Sequence, residues 1–163
     1  SAPFYMGIQQ ALAGMDGASA ARPDQIFYLY GAAHRGLLYD LELFERLGVP
    51  VHTCTMDGSQ GMQGHVLQLL ERLQAAGTIP RQVRLLACGP ERMLEAVERH
   101  ARAHNLGCWL SLETMMGCGV GICNGCPVPT RPEGPMGAWG NAKACVEGPV
   151  FSTDAVTVCH GHA

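Results

Sequence analysis

The chain has 163 residues, 47% of them apolar, and a formal net charge of −3. That length suits one domain, or one domain with a small appendage, and supplies ample material for a core. Its mixed charge without a basic block argues against nucleic acid or an anionic membrane surface as partner, and no apolar run has the length of a membrane span.

In chain order, Pro3 sits where a first helical turn tolerates proline, and Phe4, Ile8, Ala11, Leu12 and Met15 follow at helical spacing. Gly17 and the small residues after it end that helix. Gln25 to Tyr30 is a short aromatic-rich run that predicts a buried strand stopping at Gly31. A second helix is expected over 35–47, with Leu37, Leu38, Leu41, Phe44 and Leu47 as its core stripe and Gly48 at its stop. Val51 to Met56 predicts the next strand, and a polar, glycine-rich loop over 58–64 leads to a third helix near 65–76, capped by Gly77. Gln82 to Cys88 predicts another buried strand, broken at Gly89-Pro90. Pro90 opens a fourth helix with Met93, Leu94, Val97 and Ala101 on one face, closed by Asn105-Leu106-Gly107. Cys108 to Leu112 is the last strand of this part. Strands alternating with helices of this length predict an α/β fold built on a doubly wound parallel sheet. Ligands of such sheets bind beyond the carboxyl ends of the strands. Those ends are Gly31-Ala32, Asp57-Gly58-Ser59 and Cys88-Gly89-Pro90.

The texture changes near residue 114. Gly117-Cys118-Gly119-Val120-Gly121-Ile122-Cys123-Asn124-Gly125-Cys126 sets three cysteines in the spacing C-x4-C-x2-C, with a fourth downstream at Cys145 or Cys159. That is the plant-type pattern for a [2Fe–2S] cluster. Four soft thiolates must converge on a small inorganic core, and short glycine-rich loops let them do so. A structural zinc is the competing occupant, although zinc sites commonly pair two short C-x2-C clips and here only one clip is that short. Residues 127–144 carry Pro127, Pro129, Pro132 and Pro135 and read as a loop with room for a small hairpin. The expected division is therefore an α/β lobe over 1–113 and a cluster module over 114–163. Three of the eight cysteines fall within nine residues, and the rest of the chain needs no disulfide staples, so a reducing cytosol is the expected compartment.

The order of these features resembles the electron-transfer subunit of B-type dihydroorotate dehydrogenases, within the ferredoxin–NADP reductase superfamily. Cys88-Gly89-Pro90 followed by Glu91-Arg92-Met93-Leu94, the run Ser111 to Gly121, and Cys145-Val146-Glu147-Gly148-Pro149-Val150-Phe151 carry the likeness, with Asp57-Gly58-Ser59 and Gly64 in support. The resemblance implies Cys118, Cys123, Cys126 and Cys145 as cluster ligands. It implies a nucleotide site drawing on Gly31, Ala32, Asp57, Gly58, Ser59, Cys88, Gly89, Pro90 and Met93. It also implies a relay in which NAD(P)H reduces FAD, FAD feeds a [2Fe–2S] cluster, and the cluster feeds the FMN of a catalytic dihydroorotate dehydrogenase subunit. The family's FAD-binding barrel, the first strand of its nucleotide lobe and the glycine-rich turn after that strand have no counterpart here. The chain therefore reads as a fragment, with a rearranged sheet open to self-association. Diaphorase-type subunits of hydrogenases or of ferredoxin–NADP oxidoreductases share the lobe and are the sibling reading; a non-redox zinc docking module is the alternative from another class.

Of the other candidates, Cys54 and Cys108 read as buried, inert thiols. Cys88 is balanced between that and a place beside the nicotinamide. His100 and His104, four apart on the fourth helix, read as a solvated face, since they lack the acidic partner of a His-Glu-x-x-His site. His160 and His162 read as a frayed tail. Trp139 is open between shielding the cluster and ordinary packing.

Overall fold

The computed structural model describes residues 2–14 and 19–158. They form two compact units, Ser1–Arg81 and Gln82–Ala163. In the first unit α1 (Ala2–Ala13) follows the helical spacing that begins at Phe4. The helix stop expected at Gly17, and Met15 before it, lie outside the described residues. β1 (Tyr28–Ala32) and, after α2 (Leu41–Arg46), β2 (Val51–Thr55) pair in parallel, Tyr28 opposite Val51 and Ala32 opposite Thr55. β3 (Met62–Gln63) adds a short third strand on β2, inside what sequence presents as a plain loop. α3 (Val66–Ala75) follows and buries Leu69 and Leu70. The core is aromatic. Phe44 of α2 is fully buried and stacks on Tyr28 at 3.9 Å between ring centroids, while Tyr5 of α1 meets Phe44 edge-on at 5.8 Å. Offset and edge contacts of this kind add stability beyond the area they bury.

Two sequence expectations are corrected in this unit. The strand expected from Gln25 begins three residues later, because Pro23–Gln25 form a 3-10 turn in which the Gln25 side chain accepts from the Arg22 N–H at 3.1 Å. The helix expected over 35–47 is broken. His34 Nδ1 accepts from the Gly36 N–H and closes a tight turn at Arg35–Leu37, and Asp40 takes a left-handed conformation, φ 60°, before α2 begins. A helix does not run through such a residue. Of the expected stripe Leu37 is consequently exposed, at 41%, while Phe44 is fully buried as expected.

In the second unit β4 (Leu85–Cys88), α4 (Glu91–Ala103) and β5 (Cys108–Ser111) make a βαβ crossover, with β4 and β5 parallel. β6 (Pro127–Pro129) and β7 (Asn141–Lys143) form an antiparallel hairpin, the small hairpin for which residues 127–144 left room. β8 (Val150–Ser152) returns antiparallel to β5, placing Phe151 opposite Leu110. The chain after residue 113 thus shares a sheet with the βαβ unit before it, inside the compact unit that begins at Gln82.

The single doubly wound sheet expected from sequence is replaced by two three-stranded sheets, β1-β2-β3 and β4-β5-β8. Among the described residues no strand lies on the outer edge of β1 or of β4. A parallel strand pairs only with a strand that the chain brings alongside it, so the sheets end there.

A buried ion pair ties the second unit together. Glu98, on the buried face of α4, is 1% exposed. Its Oε1 accepts from Arg131 Nη2, and its Oε2 accepts from the Val158 N–H at 3.1 Å. Arg131 Nε donates onward to the carbonyls of Thr153 and Val156, at 2.7 and 3.0 Å. Removing one partner of such a pair leaves a buried charge without its counter-ion. Glu98→Ala or Arg131→Ala should therefore lower the unfolding free energy by about 3–5 kcal/mol in urea titrations. Breaking the exposed Arg22–Asp24 pair should cost under about 1 kcal/mol.

Candidate functional site

The loop from Gly117 to Cys126 leaves β5 and ends at the hairpin. Cys145 stands just after β7, held there because the Ala144 N–H donates to the Cys126 carbonyl at 3.0 Å. The hairpin thus closes the sequence distance between third and fourth thiols. Cys126 Sγ lies 3.3 Å from Cys145 Sγ. On the other side the Cys123 N–H donates to Cys118 Sγ at 3.3 Å, and the two side chains are themselves within hydrogen-bond reach. The four thiols therefore meet as two pairs, Cys118 with Cys123 and Cys126 with Cys145, and the charges of Cys118 and Cys126 both bear on Cys145. Among the described residues no group of three or more His, Cys, Asp or Glu side chains is arranged to hold a single metal ion.

The backbone around the sulfurs is polar and glycine-rich. The Cys123 N–H is the chief cause that lowers the Cys118 thiol to about 6, with the Val120 N–H, the Cys123 thiol and the Ile122 N–H assisting. Cys145 moves the other way. The Cys126 thiol raises it most and burial adds to that, while the Gly121 N–H pulls against both. Gly121 has φ +82°, and a Cβ there would stand 2.7 Å from Val146 Cγ2, so the loop requires glycine for both backbone and space. Gly148 is needed for close approach, because a Cβ would run into the Phe151 ring. That accounts for the Gly-Pro-Val-Phe run after the fourth thiol.

One group is invisible to spacing rules. Lys143 Nζ donates to the Gly121 carbonyl at 2.8 Å, linking β7 to the cysteine loop. Nothing in the linear sequence marks it beyond its place two residues before Cys145. Cys159, the other possible fourth ligand, lies with His160 and His162 outside the described residues. Trp139 is 62% exposed in its 3-10 turn.

The residues expected to bind nucleotide fall into two groups, one in each unit. Gly31 and Ala32 end β1, and the Met56 N–H donates to the Ala32 carbonyl at 3.0 Å. Next to them Asp57 Oδ1 accepts from both the N–H and the hydroxyl of Ser59, which lowers the Asp57 carboxyl, and Ser59 Oγ accepts from the Arg35 N–H at 2.8 Å. In the second unit Gly89 and Pro90 line a cavity of about 560 Å³ that also takes in Leu112, Glu113, Thr114 and Val128. The Thr114 hydroxyl oxygen is shielded from water and has no hydrogen-bond partner. Met93 packs its thioether against Gly89, and Cys88 is exposed, unlike the buried Cys54 and Cys108. The His100 and His104 rings lie 4.3 Å apart, and His104 Nδ1 is 2.9 Å from the His100 carbonyl.

Comparison with known proteins bears on this site directly. Residues 113–157 match the family described as the iron–sulfur cluster binding domain of dihydroorotate dehydrogenase B. The chain is 33% identical over 132 residues to a dihydroorotate dehydrogenase B (NAD(+)) electron transfer subunit homolog of Aquifex aeolicus, covering 81% of this chain and 47% of that protein. It is 35% identical over 132 residues to the dihydroorotate dehydrogenase B (NAD(+)) electron transfer subunit of Enterococcus faecalis, covering 81% and 48%. The chain spans about half the length of the curated relatives it matches. Among solved structures it resembles an NADH-dependent reduced ferredoxin–NADP oxidoreductase of flavin-based electron bifurcation, with a TM-score of 0.62 and 28% identity over 79% of this chain and 43% of that one.

A pH series of iodoacetamide labelling on the metal-free chain, read by mass spectrometry, checks the electrostatics. Cys118 should be thiolate, and alkylate, down to about pH 6, below which the rate falls as the thiol forms. Cys54 and Cys108, whose thiols burial pushes up, should stay unmodified until the chain unfolds.

Proposed function

We propose that this chain is the iron–sulfur part of an NAD(P)H-linked electron-transfer subunit, acting as in the dihydroorotate dehydrogenase B subunits it resembles. The observation that carries the reading is the convergence of Cys118, Cys123, Cys126 and Cys145 as two pairs inside the segment that matches the cluster-binding family. Two thiol pairs suit a two-iron core, since each tetrahedral iron takes two cysteines and shares two sulfides. Bound there, a [2Fe–2S] cluster supplies one-electron uptake and release. The backbone N–H groups of Val120, Gly121, Ile122 and Cys123 point at the thiol sulfurs and would offset their negative charge.

The apolar side chains around the loop bear on the partner. Met115, Val120, Ile122 and Val146 are exposed beside the cysteines, Met115 and Ile122 at 90% and 87%. They offer a landing surface on which a partner excludes water close to the sulfurs, and the resemblance makes that partner an FMN-containing catalytic dihydroorotate dehydrogenase subunit. FAD and NAD(P)H complete the relay as in the relatives. The cavity beside Gly89 and Pro90, with its unpartnered Thr114 hydroxyl, is the part of this chain suited to receive a ring of one of them. Free thiols throughout the described cysteines suit the reducing cytosol. The structural likeness to a ferredoxin–NADP oxidoreductase favours a diaphorase-type subunit as the second reading, with the same cluster and a different electron acceptor.

The chain purified or reconstituted without oxygen should be red-brown and hold about two irons and two labile sulfides, the content of a [2Fe–2S] centre. Cys145→Ser should lose most of both, and Cys159→Ser should keep them. A colourless protein with one zinc and no sulfide would overturn the reading.

A further inference from the structure

We infer that Lys143 is a positioning residue for the cluster: its ammonium group, bonded to the Gly121 carbonyl, polarises the peptide that points at Cys118 and so raises the cluster's reduction potential. The inference rests on the cluster reading above and goes beyond ligand assignment.

The geometry is a relay of dipoles. Lys143 Nζ donates to the Gly121 carbonyl at 2.8 Å. That carbonyl belongs to the same planar peptide as the Ile122 N–H, which is among the donors to Cys118. A cation on the oxygen withdraws electron density and strengthens the N–H as a donor, because hydrogen bonds in a chain polarise one another. The preceding peptide of the same glycine sends its N–H to Cys145. One lysine therefore fixes the residue that serves one thiol of each pair. Four thiolates and two sulfides outweigh the charge of two irons, so an added electron deepens a negative charge. A nearby cation and stronger N–H···S bonds favour the reduced form, and cluster potentials respond to both.

The side chain does this without being needed to hold β7 in place. The Lys143 backbone is fixed by its own bonds: its N–H donates to Glu147 Oε2, its carbonyl accepts from Val146 and Glu147, and it pairs with Pro127 across the hairpin. Lys143→Met keeps length and apolar stem while removing the charge, and Lys143→Arg keeps the charge.

The test is a redox titration of the cluster-loaded chain with dithionite, followed by electron paramagnetic resonance, on the parent, K143M and K143R. K143M should retain iron and sulfide. Its constant for one-electron reduction should fall about tenfold, a downward shift of about 59 mV. The g-values of its reduced signal should move, while K143R stays near the parent. Failure of K143M alone to load, with K143R loading at the parent's potential, would also support the charge requirement. A K143M cluster with the parent's potential and spectrum would overturn the inference. So would loss of cluster from both variants, which would make the lysine a structural anchor only. If the parent itself bound no iron and sulfide, the cluster reading would fall first, and the inference with it.

Discussion

One electrostatic constraint bears on the cysteine loop of the second unit: its thiols lie close enough for their thiolate charges to repel. In the metal-free chain the repulsion is met in two ways. The Cys123 N–H aimed at Cys118 lowers its thiol, and the neighbouring Cys126 thiol raises that of Cys145. Both devices depend on the path of the loop backbone more than on its side chains. The glycines at 117, 119, 121 and 125 leave the peptide groups free to turn toward the sulfurs. Exposed Val120 and Ile122 project outward from the same turns, so the loop presents apolar side chains to the outside and polar backbone to the thiols.

A loop so poor in side-chain contacts has to be held from behind. β5 delivers its start and the β6–β7 hairpin fixes its end, with the Ala144-to-Cys126 bond setting the separation of third and fourth thiols. The hairpin is secured in turn by Arg131, which joins it to Glu98 on α4 and to the carbonyls of the segment following β8. A buried carboxylate is an expensive way to fasten a segment, because desolvation offsets much of the attraction. Its merit here is specificity: the Glu98 oxygens and the Arg131 fork accept few alternative partners, so the segment carrying Thr153 to Val158 has one place to lie.

How much of this could be read from the linear chain follows from the reach of each interaction. Cys118, Cys123 and Cys126 stand out in the sequence because their spacing is local, and the structure sets the Cys123 N–H against the Cys118 thiol. Cys145 is marked in the sequence only by its Gly-Pro-Val-Phe context, since the hairpin that brings it against Cys126 spans a stretch of prolines with no strand periodicity. Lys143 and Glu98 were not legible at all. Their partners lie 22 and 33 residues away, and a lysine or glutamate carries the same letter whether it is solvated or buried. Helical periodicity also misled over 35–47, where Asp40 turns left-handed before α2 and Leu37, at the start of the stripe, is exposed. The α/β alternation was read correctly, yet strand count alone does not say that a sheet is continuous. With no strand on the outer edge of β1 or β4, the described residues give two sheets where one was expected.

The same accounting separates the nucleotide candidates. At the end of β2 the polar groups are already spent on one another: Asp57 takes both Ser59 donors, and Ser59 takes the Arg35 N–H. Beside Gly89 and Pro90 the situation is reversed, because the Thr114 hydroxyl is withdrawn from water with no partner inside the protein. Leaving such a group unsatisfied costs about 1–3 kcal/mol, a cost the fold carries at the wall of this cavity.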